Sequence, residues 1–225
     1  MRKFNLLSDY PKASSIRYVS DSLRTIDHRI IASYKDKDFY DGDRNFGYGG
    51  FKYDGRWVPI ARNMYSEYGL GEGSAVLQVG CEKGFLLHDF LGQYPGIKVH
   101  GTEVSAYAIT HSMESVKPFI QQAPFTQLPF SDDMFELVIA IGVVYTLTLA
   151  DAIQALKEIE RVCRGKSFVT LAAYRTEDEK KLLEWWTVLG VTLLHEDDWV
   201  RVLEHAGYTG DYKFTTARSL RLVKA

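Results

Sequence analysis

The sequence has little cysteine and shows no metal-binding pattern. Its 225 residues include only two cysteines, Cys81 and Cys163, which stand far apart and form no Cys-x-x-Cys pair. No two histidines stand at the spacing that zinc sites use. A disulfide framework is therefore excluded, we expect two free thiols, and we expect no metal.

The sequence also lacks an excess of one charge and a long apolar run. Its 27 basic and 29 acidic residues give a net charge of -2, so we expect no nucleic-acid partner. The longest apolar stretch, residues 137–150, contains Gly142, Thr146 and Thr148 and is shorter than the roughly 20 residues that span a bilayer. No apolar signal segment follows Met1. We expect a cytoplasmic protein without membrane contact, of undetermined oligomeric state.

The first 57 residues differ in composition from the rest of the chain. The first glutamate is Glu67, and residues 38–50 are rich in Asp, Tyr and Gly without clear periodicity. Such a segment is typical of turns and short helices. We therefore predict an N-terminal appendage or lid over residues 1–57 and a single domain over residues 58–225.

Strand and helix patterns alternate from residue 58 onward. Apolar runs predict strands at residues 75–79, 97–101, 135–141 and 167–172, with two last short strands near Tyr212 and Leu220 completing the sheet. Helical patterns lie between or after these strands. One runs from Ser105 to about Val116, one begins at Thr148, and two cover residues 176–189 and 196–206. This alternation predicts an α/β fold with a doubly wound, mainly parallel sheet and a ligand at the carboxyl ends of the first strands.

The loop after the first confident strand suits a nucleoside. Gly80 and Gly84 allow the backbone to approach a ligand, and Glu103, at the end of the next strand, can accept hydrogen bonds from ribose hydroxyls. Dinucleotide binding would require a glycine where Glu82 stands, and a carboxylate there would repel phosphate. The pattern therefore favours a nucleoside that lacks phosphates or carries a positive charge.

Four blocks of the sequence, which cover about residues 74–172, resemble class I S-adenosylmethionine-dependent methyltransferases of the type 11 group. They occur in the family's order. Val76–Gly84 is similar to its glycine loop and Val99–Ser105 to its acidic ribose loop. Leu128–Val138 is similar to its L-P-F-x-D-x-x-F-D-h-V segment and Ala155–Val162 to its A-L-x-E-h-x-R-V-h helix. Outside these blocks, Tyr48–Trp57 and Ala206–Asp211 resemble segments of a subgroup of small bacterial methyltransferases.

The resemblance implies a seven-stranded Rossmann-like sheet, S-adenosylmethionine as cofactor, and methyl transfer to an O or N atom of a small molecule. It implies that the following residues bind the cofactor: Gly80, Cys81, Glu82, Gly84, Glu103, Val104, Phe125 and Ile141. Tyr145, just past the fourth strand of the family pattern, is the candidate catalytic residue that orients the acceptor. The candidate substrate-binding residues are Tyr48, Tyr53, Arg56, Trp57 and Tyr174.

Three departures from the family pattern keep a second function open. Gln78 replaces the motif aspartate, Glu82 replaces the middle glycine, and Pro124 stands where the family often has a polar residue that contacts adenine. A non-catalytic relative that binds or regulates a partner is the alternative, because a fold alone does not establish a function. Tyr145 could equally be a partly buried packing residue, and residues 48–57 could equally be a static clasp on the sheet.

Overall fold

The structure is a computed structural model that describes residues 1–12 and 15–225. Its strands are β1 (Arg2–Lys3), β2 (Arg17–Val19), β3 (Ala75–Val79), β4 (Lys98–Glu103), β5 (Ile120–Gln122), β6 (Phe135–Ala140), β7 (Cys163–Tyr174), β8 (Leu194–His195), β9 (Asp211–Thr215) and β10 (Leu222–Lys224). Its α-helices are α1 (Ile26–Ser33), α2 (Lys37–Asp41), α3 (Val58–Glu67), α4 (Phe85–Gln93), α5 (Ala106–Thr110), α6 (Leu149–Val162), α7 (Glu177–Trp186) and α8 (Glu196–Ala206).

The main sheet is doubly wound. Seven strands lie in the order β1-β9-β7-β6-β3-β4-β5, and β8 pairs with β7 as an eighth strand. The pairings of this sheet within the described ranges are parallel. From β3 the chain moves outward through β4 and β5, and it then returns to β6 on the other side of β3. A crevice at such a reversal is where open α/β sheets bind ligands.

Helices cover both faces of the sheet, which explains the continuous apolar runs of its central strands. On one face, α6 and α8 bury Leu156, Ile159 and Trp199 against the strands. On the other face, α3 and α4 bury Met64 and Phe90. The buried strand residues are thus fixed on two sides, and the loops at the carboxyl ends of β3, β4 and β6 rest on a packed base.

The predicted fold class is confirmed, and several element boundaries differ from the prediction. Thr148 caps α6 as expected, because its hydroxyl accepts a hydrogen bond from the Asp151 N–H. Ser105 likewise caps α5, but this helix ends at Thr110 rather than near Val116. The helix predicted at 176–189 ends at Trp186.

The prediction that the last strand completes the main sheet was wrong. That strand, β10, pairs instead with β2 in a separate two-stranded sheet. The edge of the main sheet is formed by β1, whose Arg2 binds both carboxylate oxygens of Asp211 at 3.0 and 2.6 Å. A bidentate guanidinium–carboxylate pair fixes both distance and orientation, so it holds this two-residue strand in register beside β9.

The described part of the chain contains neither a membrane-spanning helix nor a metal-binding cluster. No helix there is long and apolar enough to cross a membrane. No group of three or more His, Cys, Asp or Glu side chains there is arranged to hold a metal ion. The two cysteines are free: Cys81 is buried and Cys163 is partly buried.

Candidate active site

A cavity of about 270 Å³ lies at the carboxyl ends of the strands. It reaches from the ends of β3 and β4 to residues that follow β7 and β9, and the segment that contains α1 and α2 covers it. Seven of the residues that the sequence singles out line it: Tyr48, Gly80, Glu82, Glu103, Phe125, Ile141 and Tyr145. The structure therefore brings the glycine loop, the ribose-type carboxylate and the candidate catalytic tyrosine around one space.

The loop after β3 keeps the backbone of a three-glycine loop. Gly80, Glu82 and Gly84 have φ angles of 70°, 53° and 74°, all in the left-handed region. A Cβ atom on Gly80 would lie 2.3 Å from Val143 Cγ2, so close packing as well as conformation requires glycine there. Glu82 adopts the left-handed conformation without being glycine, which costs on the order of 1 kcal/mol or more. A strained residue that faces a cavity indicates a functional role for its side chain.

Glu103 ties this loop to the end of β4. Its carboxylate accepts hydrogen bonds from the backbone N–H groups of Glu82 at 2.9 Å, Val104 at 2.8 Å and Ser105 at 3.0 Å. The residue is 2% exposed and borders the cavity. Because a carboxylate offers about four acceptor positions, one remains for a ligand after these three bonds. The same side chain therefore shapes the loop and presents an acceptor to the cavity.

Glu82 carries a carboxyl group with a strongly perturbed pKa. Burial, together with the nearby charge of Glu103, raises its pKa to about 8, although the hydrogen bond from Tyr48 and the charges of Lys35 and Lys83 act in the opposite direction. At pH 7 the group is therefore mostly a neutral acid. The Tyr48 hydroxyl donates to Oε1 of Glu82, which leaves Oε2 to carry a proton toward other groups.

Tyr145 lies in a short 3-10 turn that follows β6. Burial first, and then the charge of Glu82, raises the pKa of its hydroxyl to about 12. The phenol therefore stays neutral near pH 7 and can both donate and accept a hydrogen bond. Its backbone carbonyl accepts from the N–H groups of Val191 and Thr192, both at 3.0 Å, which fixes the turn against the loop before β8.

The N-terminal segment is fastened to the glycine loop by one ion pair. Lys83, 6% exposed, donates to Asp41 at 2.7 and 2.9 Å and to the carbonyl oxygen of Phe51 at 3.0 Å. Tyr107 on α5 also donates to Asp41, at 2.8 Å. The glycine loop and α5 thus both bind Asp41, and the segment around it forms one wall of the cavity.

Three predicted residues of the glycine and ribose loops lie beside the cavity without lining it. The side chain of Cys81 is 2% exposed and packs in the core beside α4. Gly84 precedes α4, and a Cβ atom there would lie 2.6 Å from Val116 Cγ2. Val104 contributes its N–H to Glu103. These residues shape the loops that border the cavity.

The second half of the Tyr48–Trp57 block points away from the cavity. Tyr53 donates a hydrogen bond to Asp89 on α4, and Arg56 pairs with Asp54. Trp57 packs on Tyr10, with ring centroids 4.7 Å apart.

Tyr174, at the end of β7, also lies outside the lining. It packs in a cluster with Leu183 and Ala217, and Lys180 stands 5.5 Å from the centre of its ring. Four of the five candidate substrate-binding residues are thus engaged with other parts of the fold, and only Tyr48 borders the cavity.

The two remaining departures from the family pattern have different surroundings. Gln78, 6% exposed, has a buried Oε1 atom with no hydrogen-bond partner among the described residues. Pro124 is not in the lining, but its neighbour Phe125, 4% exposed, is. The Lys35 ammonium group lies 5.4 Å from the centre of the Phe125 ring.

Several lining residues were not foreseen from the sequence, notably Arg24, Lys35, Tyr40, Arg44 and Trp186. Tyr40 and Arg44 fall within the Asp-, Tyr- and Gly-rich stretch that suggested a lid, which was the only signal available for them. Arg24 and Trp186 are 162 positions apart, and no local pattern connects them.

Comparison with known proteins agrees with the fold. Residues 77–171 match the family described as "Methyltransferase domain". No curated protein matches the chain in sequence.

Three solved structures share the fold. A chain of the Haloferax volcanii complex between the Trm112 methyltransferase activator and a protein described as a methyltransferase is 18% identical, with a TM-score of 0.53 over 67% of this chain and 74% of that chain. A protein of Bacillus halodurans C-125 described as a methyltransferase is 17% identical, with a TM-score of 0.53 over 65% and 68%. The [4+2]-cyclase SpnF is 18% identical, with a TM-score of 0.55 over 66% of this chain and only 57% of its own.

At these identities the comparison establishes the fold and not the activity of the individual neighbours. The protein has the Rossmann-like fold of class I methyltransferases, and its residues 77–171 match the methyltransferase domain.

Proposed function

We propose that the protein is an S-adenosylmethionine-dependent methyltransferase that transfers the methyl group to an O or N atom of a small molecule. One observation carries this proposal. Glu103 lies at the carboxyl end of β4, beside a left-handed loop at the point where the strand order reverses, and one acceptor position of its carboxylate remains for a ligand. A nucleoside ribose is the ligand that such a carboxylate binds in this type of fold.

The lining residues fit this cofactor in three respects. Gly80 exposes its backbone to the cavity without a side chain, and Glu103 supplies a hydrogen-bond acceptor for a ribose hydroxyl group. Phe125 supplies an apolar face for the adenine ring. Ile141, which follows β6, lines the space between these groups and Tyr145. Oε1 of Gln78, two residues before Gly80, has no hydrogen-bond partner among the described residues, and a donor from a water molecule or a ligand would satisfy it.

Glu82 is the residue that differs most from the family pattern, and we propose a role for its carboxyl group. As a neutral acid it can donate a hydrogen bond to a ligand oxygen, and as an anion it can accept one from an ammonium group or balance a positive charge. The side chain is held in place by the hydroxyl of Tyr48. Its position permits a cationic ligand and disfavours a phosphate.

S-adenosylmethionine supplies a methyl group made electrophilic by its bond to a positively charged sulfur. The protein must then align the acceptor atom and exclude water. We propose that the neutral hydroxyl of Tyr145 orients the acceptor, and that the segment around Tyr40 and Tyr48 closes the cavity. Where the acceptor atom carries a proton, the ionised form of Glu82 is the candidate to receive it at Oε2; this form is the minor one at pH 7 and becomes the major one above the pKa of about 8.

A non-catalytic role remains the second candidate, and the carboxyl group of Glu82 favours it. This group occupies space at the position where the family has a glycine, and so reduces the room for a ligand. A solved structure with the same fold carries the name of a cyclase, so the fold accommodates other activities.

Calorimetric titration with S-adenosylmethionine and S-adenosylhomocysteine tests the proposal. We expect both ligands to bind the wild-type protein and to bind Glu103→Gln at least tenfold more weakly. Glu136→Gln is the matched control, because Glu136 also accepts a backbone hydrogen bond, from Ala75 at 2.7 Å, but at the amino end of the sheet. Absence of binding to the wild-type protein would refute the cofactor assignment and favour the non-catalytic alternative.

A further inference from the structure

Three arginine side chains gather around one tryptophan that lines the cavity. The guanidinium carbon atoms of Arg24, Arg17 and Arg44 lie 4.4, 4.8 and 5.4 Å from the centre of the Trp186 ring. Arg24, Arg44 and Trp186 line the cavity. The charges of Arg17 and Arg44 act on Arg24 and lower its pKa, and an anion bound among the three groups would offset this repulsion.

No acidic side chain in the described part of the chain forms an ion pair with Arg24 or Arg44. Arg24 is only 8% exposed, and its hydrogen-bond partner is the backbone carbonyl oxygen of Trp186. Arg44 donates to the carbonyl oxygen of Gly47. The buried Lys83, by contrast, is paired with Asp41. Because buried charges in proteins are almost always paired, a buried arginine without a carboxylate indicates a missing anionic partner.

The electrostatics of the group agree with this interpretation. Burial lowers the pKa of Arg24 to about 10, with further contributions from Arg44, Arg17 and Arg29. Burial also lowers the pKa of Arg17 and of Arg44. All three side chains still carry their charge at pH 7, so this end of the cavity is positive.

The strand order gives the distance over which the cavity extends from Glu103. Trp186 ends the helix that follows β7, and Thr215 at the end of β9 lines the same region. Between β4 and β9 lie β3, β6 and β7, so the ends of β4 and β9 are four strand spacings, or about 19 Å, apart. Apolar side chains of Leu183, Leu189 and Leu193 line the cavity near Trp186.

We propose that Arg24 and Arg44 bind an oxyanion, a carboxylate or phosphate group, of the methyl acceptor, whose apolar body lies against Trp186 and the neighbouring leucines. The planar guanidinium groups suit either oxyanion, since each can donate two parallel hydrogen bonds. The identification of the bound molecule as the methyl acceptor rests on the proposed methyltransferase function. The oxyanion site itself rests only on the arginines.

Matched anionic and neutral probes test the site. We would measure the binding of benzoate, phenyl phosphate and the neutral benzamide by calorimetry, with the protein free and saturated with S-adenosylhomocysteine. We expect at least one anionic probe to bind the wild-type protein at least tenfold more tightly than benzamide. Preference for benzoate or for phenyl phosphate distinguishes the two oxyanions.

Variants identify the residues that hold the probe. We expect Arg24→Gln to reduce the preference for the anion at least tenfold. We expect the same reduction in Arg44→Gln, which replaces an exposed side chain and therefore disturbs the packing of the core less. Arg201→Gln removes the same charge at a remote position with 78% side-chain exposure, and we expect it to leave the preference unchanged. S-adenosylhomocysteine should bind all three variants within twofold of the wild-type affinity.

Three results would overturn the proposal. The first is equal binding, or no binding, of the anionic and neutral probes. The second is a preference that survives in both Arg24→Gln and Arg44→Gln. The third is a loss of S-adenosylhomocysteine affinity in these variants, which would assign the arginines to the carboxylate of the cofactor. Failure of S-adenosylhomocysteine to bind the wild-type protein, with the anion preference intact, would refute the methyltransferase function and with it the acceptor role, but not the oxyanion site.

Discussion

Replacing Glu82 by glutamine should make the protein more stable at high pH and leave it unchanged at low pH. The pKa of Glu82 in the folded protein is about 8, against 4.5 for an ordinary glutamate. Between these values the folded state holds a proton that the unfolded state has released. The free energy of unfolding therefore falls as the pH rises from about 4.5 to about 8, and the loss is complete above that range.

The size of the effect follows from the two pKa values. At about 1.4 kcal/mol for each unit of pKa, the difference of about 3.5 units corresponds to an upper limit of about 5 kcal/mol. Since Glu82 borders a cavity that water reaches, we expect about 2–4 kcal/mol. Glu82→Gln stays neutral at every pH and keeps an oxygen to accept the hydrogen bond from Tyr48.

Urea denaturation monitored by tryptophan fluorescence at about pH 4, 7 and 9 measures this difference. We expect the two proteins to agree within about 0.5 kcal/mol at the lowest pH and the variant to be more stable by the full amount at the highest. Glu114→Gln is the control, because the side chain of Glu114 is 87% exposed, and its effect should not change with pH. A Glu82→Gln effect of equal size at all three values would show that the folded protein does not hold this carboxyl group neutral.

Three further predictions concern ligand binding and the N-terminal segment. Glu103→Gln should lower the free energy of unfolding by about 1.5–3 kcal/mol, since the amide NH₂ cannot accept the N–H of Glu82, and urea denaturation will detect this apart from the binding loss. Amide hydrogen exchange in residues 45–57 should slow on addition of S-adenosylhomocysteine, and equal rates with and without it would indicate a static clasp. Lys83→Met leaves the Asp41 carboxylate without its cation, so it should speed amide hydrogen exchange around Asp41 and destabilise the protein by about 1–3 kcal/mol. Unchanged exchange would mean that other contacts hold the segment.

The sequence predicts those parts of the fold whose pattern is local. The central strand β6 appears as an apolar run because helices cover both faces of the sheet, and Thr148 marks the start of α6 through its own hydroxyl. The approach of Glu103 to the glycine loop is also predictable. Parallel pairing sets Gln78 opposite Gly101, so the loops after β3 and β4 meet at one edge.

Other parts depend on contacts between distant segments, which a single sequence does not reveal. Strands of two or three residues, such as β1 and β10, are too short for an alternating pattern, so their partners could not be inferred. The arginines around Trp186 come from a stretch without periodicity and meet it only through tertiary packing. The left-handed backbone of Glu82 could not be predicted for another reason, because the residue type alone does not determine the φ angle.

The pairing of both N-terminal strands with the far end of the chain determines the order in which the protein can assemble. β1 joins β9, and β2 joins β10, across more than 200 positions in each case. During synthesis the N-terminal segment leaves the ribosome first, yet its partners appear last, while β3 to β7 can already pair with one another. Contacts so distant in sequence form slowly because a long loop must close first. The cavity wall that carries Arg24 and Arg44 is therefore completed only when the rest of the sheet is in place.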